Sequence, residues 1–151
     1  MTATGIAGIT ATEVIVPAKP GSLNSSDVHD TDEGFAKKFL TGESWTEFAN
    51  QPKWIIQITL HNGLTGIGET YRSASPVLIR EAAETFVGKD LLSLNWRRLP
   101  VADQRIYEAF ECAVLDLAGK LLHAPVTQLL GGAYRDRVDC MGWTGRRNPE
   151  D

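Results

Sequence analysis

The sequence predicts an α+β fold, a small antiparallel sheet followed by helices. Residues 54–60 alternate apolar with polar side chains and run into Asn62-Gly63, the pattern of a hairpin with one buried face. Residues 106–122 repeat apolar side chains at helical spacing. Strand signals precede helix signals without β-α alternation, which separates α+β from a parallel α/β sheet. The 151 residues suit one domain, and 42% hydrophobic with 23% charged residues is an ordinary globular balance.

The elements follow in order. Residues 9–16, rich in Ile, Val and Thr, form the first predicted strand, which Pro17 ends. Between 17 and 53 the pattern breaks down. Pro20-Gly21, Ser22, Asn24, Ser25 and Ser26 are turn formers, and an acid-rich run over 27–33 contains His29. Phe35, Phe39 and Leu40 could line one short helix, closed by Gly42. A loop this long inside a compact domain is read as functional. In the hairpin, Ile56, Ile58 and Leu60 form the buried face, and Gln57, Thr59 and His61 the other. Asn62-Gly63 suits a type I′ turn, and the return strand covers 64–70. Gly66 and Gly68 within it predict a bulge or the close approach of another element.

Ser75 is the expected N-cap of the first helix, with Pro76 at its first position and Gly88 just past its end. The longest helix, 106–122, carries an apolar stripe of Ile106, Ala109/Phe110, Ala113/Val114, Leu117 and Leu121. A short helix over 125–130 stops at Gly131-Gly132. Residues 138–143 have strand character, and Asn148-Pro149-Glu150-Asp151 reads as a helix start. The expectation is a chain that forms the front part of a longer protein.

Composition excludes several function classes. A net charge of −4, with clustered cations only as bare pairs such as Arg97-Arg98 and Arg146-Arg147, argues against nucleic acid or an anionic membrane as partner. No apolar run approaches the ~20 residues of a membrane helix. The first ten residues contain no Lys or Arg, so no secretory n-region is read, and a cytoplasmic location is expected. Cys112 and Cys140 form no C-x-x-C pair and are read as small buried hydrophobes with reduced thiols. His29, His61 and His123 share no metal-ligand spacing. Gly66-x-Gly68 is no dinucleotide fingerprint, because Tyr71 stands where the third glycine belongs. Glu69 is expected to be a structural acid held by backbone or loop donors. Glu111 and Asp116 point to different faces, and Asp116 should pair with Lys120 or cap a neighbouring element.

Five motifs occur in series: Gly66-Ile67-Gly68-Glu69 after the Asn-Gly hairpin, Gly88-Lys89-Asp90, the run from Ala113 through Leu115 and Asp116 to Gly119-Lys120, Pro125-Val126, and Leu129-Leu130-Gly131-Gly132. Together they resemble the N-terminal capping domain of the enolase superfamily, in its mandelate racemase/muconate lactonizing enzyme branch. The resemblance covers roughly residues 6–143, and the 17–53 segment is longer and more polar than the corresponding loop of many members. It implies a three-stranded antiparallel meander beside a helical bundle, closing the mouth of a TIM-type barrel. Residues 1–137 would be the capping domain, with lid loops at 17–53 and 70–75. Residues 138–151 would start a barrel that this chain largely lacks.

The chemistry so implied is abstraction of a proton α to a carboxylate, with Mg²⁺ in the full-length enzyme and a Lys or His base, all on barrel strands. No catalytic residue and no metal ligand is therefore assigned in this segment, which is expected to be inactive alone and to bind no Mg²⁺ tightly. The residues expected to face a small carboxylate substrate are Tyr71, Arg72, His29, Trp143 and Thr144. The expected partners are a C-terminal barrel and further copies of the chain. An acid-sugar dehydratase or mandelate racemase-like parent is favoured, with a cycloisomerase or dipeptide epimerase as the alternative. A stand-alone, non-catalytic binding or assembly domain is the reading from another class.

Overall fold

The computed structural model describes residues 2–15, 52–72 and 74–140. The chain divides into two units, Met1–Val14 with Pro52–Asp136 and Ile15–Gln51 with Arg137–Asp151. The described residues of the second unit, Ile15 and 137–140, carry no regular element. The expected loop and short helix over 17–53 thus lie almost entirely outside the described residues. So do 141–143 of the predicted barrel strand, and 138–140 are irregular and exposed.

Strands β1 (Ile6–Val14), β2 (Lys53–Leu60) and β3 (Thr65–Glu69) form an antiparallel sheet in that order. The α+β reading holds, with three corrections of detail. First, β1 begins before the predicted residue 9. Ile6 is fully buried and held in extended form by Lys89 and Gly88: its N–H donates to the Lys89 carbonyl (2.9 Å) and its carbonyl accepts from Gly88 N–H (2.9 Å). A register shift between Ile6 and Gly8 absorbs the weak strand formers Ala7-Gly8. Second, the β2–β3 turn is not type I′, which requires positive φ at both central residues. Gly63 has φ +85° while Asn62 is not positive, and Gly63 N–H donates to the Leu60 carbonyl. A type I-like turn closed by a left-handed glycine satisfies the same hairpin, with the Asn62 side chain accepting from Leu64 N–H. Third, the cysteines are exposed, not buried. Cys112 is turned away from the Ala109/Phe110/Ala113 stripe on its helix, so the thiol faces outward.

Helix α1 is Pro76–Phe86, a 3-10 turn spans Leu91–Ser93, and α2 and α3 are Gln104–Leu122 and Val126–Leu129. Ser75 occupies the N-cap of α1, but its hydroxyl makes no capping bond. Asp103 caps α2 with its carboxylate on Arg105 N–H, and His123 ends that helix in the left-handed region at φ 52°.

The core lies between the inner face of the sheet and the two longer helices. Ile56, Ile58 and Leu60 meet Ile79, Ala82 and Phe86 of α1 and the predicted stripe of α2. Phe86 and Phe110 stack at 5.1 Å between ring centroids. The glycines of β3 let α2 approach to backbone contact. A Cβ placed at Gly68 would lie 2.0 Å from the Ala109 carbonyl oxygen, and one at Gly66 2.3 Å from that of Ala113. Close approach, rather than a bulge, explains both glycines.

Candidate functional site

Beyond Glu69 the chain leaves the sheet through Thr70, Tyr71 and Arg72, and three backbone contacts fix its exit. Thr70 is 2% exposed, and its N–H donates to the Trp54 carbonyl (2.9 Å) while its hydroxyl accepts from Trp54 N–H (2.9 Å). Tyr71 N–H then donates to the Arg105 carbonyl in the first turn of α2 (3.0 Å). Thr70 therefore extends the β2–β3 ladder by one residue, and Tyr71 ties that extension to a helix.

Their side chains emerge as a pair. Tyr71 is 47% exposed, and the Arg72 guanidinium carbon lies 4.6 Å from the centroid of its ring. A guanidinium is a planar fork of N–H donors whose geometry suits a carboxylate. Lys53 and Glu69 form an ion pair at the same end of the hairpin. Glu69, expected to be held by backbone or loop donors, is instead paired with a side-chain cation. The Trp54 indole Nε1 is buried and without a hydrogen-bond partner among the described residues.

Of the predicted substrate-facing residues, Tyr71 and Arg72 stand together. His29, Trp143 and Thr144 lie outside the described residues. Thr70, Trp54 and the Arg105 carbonyl escaped the sequence reading. Thr70 reads as one more strand-end threonine, and a backbone acceptor leaves no trace in a sequence. No group of three or more His, Cys, Asp or Glu among the described residues could hold a metal ion.

A second polar cluster is structural. Asp90 accepts from the hydroxyls of Thr2 (2.6 Å) and Thr4 (2.6 Å) and from Leu92 N–H (2.9 Å). The hydroxyl donors, the Thr2 bond foremost, hold its carboxyl below the ordinary carboxylate value. Asp116 fills both expected roles, accepting from Lys120 (2.7 Å) and from Ile67 N–H (3.0 Å).

The model of the mandelate racemase / muconate lactonizing enzyme N-terminal domain matches residues 42–131, well over half of the chain. The chain belongs to that family. It is similar to the D-galactonate dehydratase of Variovorax paradoxus, 29% identical over an alignment of 115 positions that covers 66% of this chain and 30% of that protein. Among solved structures it resembles the muconate lactonizing enzyme of Pseudomonas fluorescens complexed with muconolactone. There the TM-score is 0.61 at 25% identity, covering 89% of this chain and 36% of that one. An enolase from Pseudomonas fluorescens Pf0-1, with bound magnesium, potassium and tartrate, shares the fold at TM-score 0.58 and 23% identity, over 90% and 34% of the two chains. The chain spans about a third of the length of each of these proteins. As an N-terminal domain of this family, it implies a C-terminal domain. No helix among the described residues is long and apolar enough to cross a membrane.

Proposed function

We propose that this chain is the capping, substrate-reading part of an acid-sugar dehydratase, whose barrel supplies the base and the metal. The observation that carries the reading is the Tyr71–Arg72 pair, an exposed phenol stacked on a half-buried guanidinium at an anchored strand end, in a chain similar to a D-galactonate dehydratase. In such a reaction a base takes the proton α to the carboxylate. The β-hydroxyl leaves as water, and the resulting enol becomes the 2-keto acid. Arg72 would hold the substrate's carboxylate through charge-assisted hydrogen bonds, and the Tyr71 hydroxyl would bond the polyol chain. The described residues do not fit a Mg²⁺ site, which needs several convergent oxygen ligands. Residues 17–53 and 70–75 would fold over the barrel mouth and exclude water.

The test is an assay of the protein together with its barrel against a set of sugar acids, reading 2-keto acid formation. Turnover is expected, and Arg72→Ala should raise KM by about tenfold or more, the worth of a hydrogen bond to a charged group. No turnover of any sugar acid, with turnover of a muconate instead, would replace this reading by the cycloisomerase one, to which the muconate lactonizing neighbour points.

A further inference from the structure

An edge strand presents a row of unpaired N–H and C=O groups, a template for another strand. In β3 those groups belong to alternate residues. Ile67 stands opposite Gln57 of β2, yet its N–H donates to the Asp116 carboxylate, so Ile67 turns its backbone polar groups away from the sheet. Thr65 and Glu69, two residues to either side, share that orientation by the period of the strand. The Thr65 carbonyl accepts from Lys120 Nζ at 2.9 Å, which agrees. Asp116 and Lys120, themselves paired at 2.7 Å, thus occupy a donor and an acceptor of the free edge. They reach it because Gly66 and Gly68 let α2 lie against the backbone of β3.

We infer that Asp116 and Lys120 act as a guard that closes the β3 edge to strand addition by a second copy of this chain. The register argues for that occupant. A two-fold axis through Ile67 would set Ile67 opposite Ile67, and Thr65 opposite Glu69 of the other copy. Ile67 is 53% exposed on the face away from α2, so the axial pair is apolar. No like charges stand opposite one another, since each glutamate meets a threonine. Without the guard the edge is self-complementary. With it, two backbone groups that such pairing needs are already taken.

The test is cross-linking at the axis. In a Cys112→Ser, Cys140→Ser background, Ile67→Cys places a thiol where two copies would bring Cα atoms about 5.5 Å apart, within disulfide reach. With the guard intact, mild oxidation should leave the chain monomeric at that position. Adding Asp116→Ala and Lys120→Ala should raise the disulfide-linked dimer by about tenfold or more at equal protein concentration. Equal linking with and without the guard, or none in a guardless variant that keeps its helical circular dichroism, would overturn the inference. If the double substitution abolishes that signal, Lys120→Met alone carries the test. It frees the Thr65 carbonyl and should give linking above the guarded parent; no increase would overturn the inference equally.

Discussion

Within a few residues the chain passes from a place with no free volume to one that faces outward. At Gly66 and Gly68 the backbone of β3 lies directly on α2, and a single Cβ would collide with main-chain oxygen. At Tyr71 and Arg72 the backbone is still pinned, to Trp54 through Thr70 and to Arg105, but the Tyr71 side chain is exposed and Arg72 is only half-buried. The seam sets where the loop starts; the loop presents whatever side chains it carries. Substitutions at the first place should change the fold, and at the second only what is recognised.

The largest effect should come from the helix side of the seam. Phe110 is fully buried and stacked on Phe86. Phe110→Ala is expected to lower stability by about 3–5 kcal/mol, read as a shift in denaturation midpoint. Next, Gly68→Ala pushes a methyl against the Ala109 carbonyl, which main chain cannot easily yield. A loss of about 1–3 kcal/mol is expected, and an unchanged midpoint would show that β3 and α2 can separate without penalty.

The Asp90 cluster should give a pH signature. Its carboxyl titrates lower in the folded chain than in the unfolded one, so its contribution is fully present above the unfolded value, about 3.9. That contribution fades as the pH falls through the lower folded value. Wild-type and Asp90→Asn midpoints measured from pH 7 downward should therefore differ most at neutral pH and converge in acid. A constant gap would show that the charge is not what the two threonines hold. Smallest of all, Arg72→Ala should cost no more than about 1 kcal/mol, the worth of a cation–π contact at a partly exposed site. A larger loss would make the pair part of the scaffold and sharpen the comparison against a recognition role.

Sequence reading succeeded where one face of an element is buried. The alternation over 54–60 and the stripe over 106–122 report that burial directly, and Gly66 and Gly68 record a close approach without naming the partner. It failed where a distant segment supplies the cause. Nothing around Ala7-Gly8 marks a strand, because Lys89 and Gly88 hold Ile6 extended. The turn type was missed because Asn tolerates positive φ without requiring it. Tyr71 and Arg72 were legible as chemistry; the anchors Thr70 and Arg105 were not, since backbone bonds between remote residues leave no local pattern. The exposed Cys112 shows the converse: residue type alone argued for burial, and only its angular position on α2 decided otherwise.

The threonines that grip Asp90 are separated from it by almost ninety positions, and β1 cannot be fastened at its beginning until residues 88–90 exist. On a ribosome adding ~5–20 residues per second, the first strand is made on the order of ten seconds before its clasp. Its neighbour β2 arrives earlier, after residues 16–51 have been added. During that interval the nascent segment TGIAGITATEV offers a bare, β-branched edge.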